Sequence, residues 1–233
     1  MSLVGVACLA ATMLVAGLLR WRRRLARLEG HLRRLRALSV REVNLRPLAA
    51  GERDVSALDA ASEELAALGL TILGDALEDA GEDGRQPTRW FADAAGTTFG
   101  WIGLVRGLRL GFLLSSSPER VAITRIVPRP LPSLAQPPFI DRVEHCGTDK
   151  LADALAAHRA RVPAGAAVVR TLDAAIAEMR ALRERTIAWR EAQAPGELLE
   201  RDLRAILGRH YERLGPVMAR RLGVRLPEAR INR

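Results

Sequence analysis

Lysine is almost missing from this chain, aromatic residues are scarce and cysteine is rarer still, and each shortage closes off a class of protein. Two cysteines, Cys8 and Cys146, cannot staple 233 residues, so a disulfide scaffold is excluded and a reducing compartment fits. Phe, Trp and Tyr make up only 4% of the chain, too few for the stacking platforms that nucleic-acid binding needs. All but one of the 36 basic residues are arginine, Lys150 being the exception, a usage that points to a bacterial chain. Familiar catalytic phrases are missing too. There is no CxxC, HExxH or calcium-loop spacing, no GxxxxGK[ST] phosphate loop, no GxSxG elbow, and no GxGxxG leading into a helix. No cofactor is therefore expected, and any metal centre would have to be assembled from distant residues.

What is present is concentrated at the start. Ser2 to Leu19 carries no charge, and Arg20, Arg22, Arg23, Arg24 and Arg27 follow at once. At 1.5 Å per residue the 18 apolar positions make about 27 Å of helix, close to the hydrocarbon thickness of a bilayer. A cleaved signal peptide would carry its basic block before the apolar run, whereas here the arginines come after it, and Gly5-Val6-Ala7-Cys8 is only a faint lipoprotein cleavage pattern. Residues 1–20 are thus expected to be a single transmembrane anchor of the bacterial inner membrane. The arginine side stays inside, which puts the N-terminus outside and the bulk of the chain in the cytoplasm. The five arginines are expected to contact anionic lipid headgroups.

The formal net charge of +9 is unevenly placed, because Arg20 to Arg46 holds ten arginines against Glu29 and Glu42. The rest of the chain is close to neutral, which argues for a lipid surface and against nucleic acid as the partner.

Residues 21–51 read as an Arg-rich juxtamembrane helix and linker. Leu25, Leu28, Leu32 and Leu35 recur at helical spacing, and this stripe either pairs with a second chain or forms an interfacial or simply extended helix, the second being favoured. A breaker cluster at Asn44 to Gly51 closes the region. Residues 52–162 read as an α+β domain. It opens on a helix from Val55 to Leu68, capped by Asp54 or Ser56 and ended by Gly69.

Strands are expected near Thr71 to Leu77, Arg89 to Asp93, Thr98 to Val105, Leu110 to Ser116, Val121 to Ile126 and Phe139 to His145. They make a mainly antiparallel sheet of five to six strands with flanking helices. Pro128, Pro130, Pro132, Pro137 and Pro138 mark a crossover loop before the last strand, and Gly100, Gly103, Gly107 and Gly111 suggest bulges or a close approach. A helix from Thr148 or Asp149 ends near Pro163. Residues 163–233 read as a helical hairpin: Val168, Leu172, Ala175, Met179, Leu182, Thr186 and Trp189 form one stripe. Leu199, Leu203, Ile206, His210 and Leu214 form the other, with a bend at Gly215-Pro216. The two stripes are expected to pack on each other or on a second copy.

The phrases Leu68-Gly69-Leu70, Leu73-Gly74-Asp75 and His158-Arg159, spread over Val55 to Val162, resemble a family of uncharacterised single-pass membrane-anchored bacterial proteins. That resemblance implies an α+β fold and brings no known activity.

Four polar residues remain as a candidate ligand pocket: Asp75, Asp141, His145 and His158. Asp141 and His145 are spaced to share a strand face, whereas His145 and Cys146 point to opposite faces and cannot exchange a proton. His158 suits a helix C-terminus, and His210, set among leucines, reads as a packing residue. The acidic stretch Asp75, Glu78, Asp79, Glu82, Asp83 reads as a solvated loop. Two functions remain open: a membrane-tethered interaction or sensory module without catalytic activity, and a membrane-anchored hydrolase-like or small-ligand-binding domain. The first is preferred, with a protein partner or self-association through the C-terminal helices. The two separate on whether the four polar side chains converge on one pocket.

Overall fold

The computed structural model describes residues 3–40, 45–49, 51–52, 54–79, 85–105, 108–130, 133–146 and 151–227, with the side chains of 3–15, 17, 18, 40, 78, 79, 85, 86 and 105 left out. Thr148 and Asp149, Gly107, Glu82 and Asp83 therefore lie outside the described residues. The chain divides into two compact units. A helical unit contains residues 1–41, 132–135 and 191–233, and a sheet unit contains 42–131 and 136–190.

The sheet unit is α+β, as the strand-rich middle of the sequence implies, but its sheet has seven strands and is mixed. In chain order these are β1 (Leu45–Pro47), β2 (Thr71–Asp79), β3 (Arg85–Ala92), β4 (Phe99–Val105), β5 (Leu108–Ser116), β6 (Val121–Val127) and β7 (Ile140–Cys146), and their spatial order is the same. The first six pair antiparallel. β7 runs parallel to β6, in register from Val121 opposite Ile140 to Val127 opposite Cys146. A parallel neighbour needs a crossover of a dozen residues or so, which the proline-rich segment between Val127 and Ile140 supplies. The seventh strand is β1, three residues of the expected breaker cluster. It is too short to show a period, and its Pro47 is tolerated because β1 is a sheet edge.

Alternation along the strands divides the core between two faces. One face presents Phe91, Ile102, Leu113 and Ile126 to α2 (Asp59–Ala67) and α3 (Leu151–Arg159), where Leu65, Leu151, Ala154 and Leu155 meet them. The other presents Trp90, Phe99, Leu114, Val121 and Ile123 to α4 (Leu172–Glu191), through Ala175, Ile176 and Leu182. Two glycines matter here. Gly100 lies so close to β5 that an added Cβ would come within 1.9 Å of the Phe112 carbonyl oxygen. Gly74, at φ +138°, sits at the register shift in β2.

Helix ends follow the local chemistry. Asp54 accepts the Ser56 N–H at 2.9 Å, but it starts a 3-10 turn over Ser56–Leu58 and α2 begins only at Asp59. Gly69, at φ +71°, closes that helix as expected. The helix expected to carry the stripe from Val168 starts instead at Leu172, where the Thr171 hydroxyl accepts the Ala174 N–H. Residues 167–169 run as a strap, donating Ala167 N–H to Ser116 O and Val169 N–H to Gly96 O.

The helical unit comprises α1 (Leu3–Val40), α5 (Pro195–Leu207) and α6 (Tyr211–Arg221). The expected hairpin of two stripes packed on each other is not found. The stripe around Ala175 and Leu182 packs on the sheet, whereas Leu199, Leu203 and Leu207 pack with Tyr211, Met218 and Ala219 of α6 and with Leu25 and Leu32 of α1. The turn falls at Gly208, not at Gly215-Pro216, which lies inside α6. Gly215 is needed there because a Cβ would come within 2.7 Å of the Tyr211 ring. His210 sits in the 3-10 turn between the helices and is exposed, so it does not pack among the leucines.

The leucines of the arginine-rich segment also differ from expectation. Leu32 is fully buried and Leu25 nearly so, covered by the chain's own C-terminal helices and not by lipid or a second copy. Among the described residues no helix is long and apolar enough to cross a membrane. The run Ser2 to Leu19 falls outside the described side chains except at Ala16 and Leu19, both exposed.

Candidate functional site

The last turn of α3 aims a histidine at the sheet. Leu151, Ala154, Leu155 and His158 share one helical face, so His158 occupies a position that the pattern reserves for an apolar side chain. Opposite it, Ser115 on β5 and Thr124 on β6 are polar residues at inward positions of their strands. Both are completely buried, as are His158 and Thr98. His158 Nε2 lies 3.0 Å from Ser115 Oγ and Nδ1 lies 2.8 Å from Thr124 Oγ1, while Ser115 Oγ is 3.3 Å from Thr98 Oγ1.

Arg161, just past α3, extends the chain outward. Its Nη1 donates to Thr124 Oγ1 at 3.1 Å, its Nε to Asp141 Oδ2 at 3.1 Å, and its Nη2 to the backbone oxygens of Ile123 and Asp141. Arg120 donates to the same Asp141 oxygen at 2.8 Å. A Thr124 hydroxyl that accepts from Arg161 is free to donate to Nδ1, which leaves Nε2–H to donate to Ser115 Oγ. Burial pushes the His158 ring down to about 4, helped by the Arg161 cation and opposed by Asp93 and Asp141. The Arg161 hydrogen bond holds the Asp141 carboxyl below its usual range, with Arg120 adding to it.

A serine oxygen 3.0 Å from an imidazole has nucleophile-and-base geometry. Its surroundings do not suit catalysis, since neither residue has any exposed surface for a substrate to reach. What the network does is brace: it satisfies every polar atom that fixing α3 to the sheet would otherwise bury unpaired.

The four expected pocket residues do not converge. Asp141 and His158 are joined through Arg161 and Thr124. His145 shares the β7 face of Asp141, as its spacing implies, but among the described residues no hydrogen bond or ion pair joins it to Asp141 or His158. Asp75 belongs to a different cluster, where both of its oxygens accept from Arg89 at 2.9 Å. Arg89 also reaches Asp59 at 2.9 Å and Ser62 on α2. Cys146 is free and exposed at the end of the edge strand. No group of three His, Cys, Asp or Glu side chains is placed to hold a metal ion among the described residues. Sequence reading missed Ser115, Thr124, Thr98 and Arg161. The signal was available: two hydroxyls at inward strand positions and a histidine on an apolar helical stripe need one another.

The arginine block is the remaining candidate. Arg20, Arg22, Arg23, Arg24 and Arg27 are all exposed on α1, beside the exposed Leu19 and Trp21. The opposite face of the same helix is covered by α5 and α6. Compared with protein-family models, with curated proteins and with solved structures, the chain matches none.

Proposed function

We propose that the chain is a membrane-tethered interaction module without catalytic activity, anchored by Ser2 to Leu19 in a bacterial inner membrane with the bulk of the chain cytoplasmic. The observation that carries this reading is how the reactive side chains are used. The one serine–histidine contact among the described residues is sealed inside the sheet unit, and Asp75 and Asp141 are each held by arginine. An uncharged run leading straight into exposed arginines supports the tether. The function is then carried by surfaces, and the partner is a protein met at the membrane.

Topology and capture test it together. A C-terminal alkaline-phosphatase fusion is expected to be inactive, and the full chain to stay in the membrane through alkaline carbonate extraction. Affinity capture from detergent-solubilised membranes is expected to recover one stoichiometric partner. An active fusion, or release of the intact chain by carbonate, overturns the tether. Capture of no stoichiometric partner overturns the interaction role.

A further inference from the structure

Contacts within the helical unit fix how its helices run. Arg221, at the end of α6, donates to Glu29 at 2.7 Å and its carbonyl accepts from Arg33 at 3.4 Å. Asp202, within α5, faces Arg36 at 3.7 Å. The start of α5 and the end of α6 lie together, since a Cβ on Gly196 would come within 2.6 Å of the Arg225 oxygen. Hence α5 follows α1 in the same sense, and α6 returns against it to finish on the side of Arg20. Arg27 is only two residues, about 3 Å of rise, from the level where α6 ends.

Charge is divided unevenly between the two units. The helical unit holds 18 basic and 7 acidic residues, a net of +11, against 18 basic and 20 acidic in the sheet unit, a net of −2. Glu29 is the one acid between Arg20 and Arg41, and it is consumed by Arg33 and Arg221. Arg220 in α6, whose Nε donates back to Pro216 O at 3.4 Å, and Arg225 just past the helix are both exposed.

We propose that Arg220 and Arg225 of the C-terminal arm join Arg20, Arg22, Arg23, Arg24 and Arg27 in one basic collar that binds the anionic phospholipid headgroups around the anchor. This rests on the tether reading given above. Five of these arginines continue, within one unbroken helix, an uncharged run of bilayer length, and the exposed Leu19 and Trp21 at their edge are an interfacial pair. Trp21 is the only aromatic residue in α1, so the collar has no stacking surface for nucleic-acid bases. The C-terminal helices thus do two things: they cover the apolar side of α1, and they widen its cationic side.

The test uses the full chain in nanodiscs of mixed phosphatidylglycerol and phosphatidylcholine, with retained lipid measured by mass spectrometry after detergent exchange. The wild type is expected to retain phosphatidylglycerol preferentially. A lipid-facing arginine supplies about a five-fold preference, so R220Q/R225Q is expected to lower the preference at least several-fold while leaving helix content and melting unchanged. If the wild type keeps its preference and R220Q/R225Q matches it, the collar is wrong and the tether stands. If the wild type shows no preference and carbonate also strips it from membranes, both fail. Displacement of the retained lipid by a single-stranded oligonucleotide would make the surface a nucleic-acid site and also overturn the proposal.

Discussion

His158 should make the sheet unit lose stability on mild acidification, by an amount that can be worked out in advance. An ordinary histidine ring takes up its proton near 6.5, and the buried ring does so only at about 4. Unfolded chains therefore bind a proton between those values that folded chains refuse, and stability falls as pH drops through that window. Above about 6.5 the ring is neutral in both states and contributes no slope. At about 1.4 kcal/mol per tenfold difference in affinity, the full gap is worth about 3 kcal/mol, of which about 2 has gone by pH 5. Carboxylates do not confuse the upper part of the window. Asp141 is held low by Arg161, so its contribution is intact above the ordinary carboxylate value and is lost only as pH falls below it.

The assay is urea unfolding of the full chain in micelles at a series of pH values from 7 to 5, followed by near-ultraviolet circular dichroism. His158→Gln is compared at each pH. The variant is expected to be less stable at pH 7, by about 1–3 kcal/mol for the lost hydrogen bonds, but to have a flatter profile, so the two curves approach each other by pH 5. A wild-type profile that stays level from 7 to 5, or a variant with the same slope as the wild type, would refute the reasoning.

Two further outcomes follow from packing and charge. Arg89→Met removes the cation that holds both Asp75 oxygens and leaves a half-buried carboxylate without it, so the sheet unit should lose about 3 kcal/mol in denaturant unfolding; a loss under half a kcal/mol would mean that water serves Asp75 equally well. Leu32→Ala, at a fully buried site among the C-terminal helices, should cost the helical unit about 2–4 kcal/mol and raise amide exchange in α5 and α6, whereas unchanged exchange there would mean that α1 is not their partner.

The strands were legible because the chain writes them as short β-branched runs between turn residues, and all six expected strands are present. β1 was not, since Leu45 to Pro47 spans too few residues for alternation to show. The parallel pairing of β7 was half legible: the prolines announce a crossover, but nothing local says on which side of β6 the chain returns. The start of α4 was misplaced for a different reason. Val168 fits the helical period, yet the bonds from Ala167 N–H to Ser116 and from Val169 N–H to Gly96 hold the segment outside the helix, and Val168 is left exposed. The buried network is not legible locally, because a histidine at a helix end reads by itself as a ligand or a cap. Ser115 and Thr124, which make its burial tolerable, lie 43 and 34 residues away in sequence.

An amphipathic stripe states that a face will be covered and leaves open by what. Leu25, Leu28 and Leu32 would serve a coiled coil, a headgroup layer or an intramolecular partner equally well, because each removes the same apolar area from water. The choice is made by the far end of the chain. Leu199, Leu203 and Met218 form a second apolar face of matching length, and two charge pairs, Glu29 with Arg221 and Arg36 with Asp202, set its register on α1. The first and last helices of the chain therefore make one unit, while most of the residues between them make another. During synthesis the sheet unit can complete its core before residues 191–233 emerge, but the leucines of α1 must wait for them. A chain cut short after Arg190 would leave Leu25 and Leu32 without that cover, and a second copy or a headgroup layer would then be their remaining options.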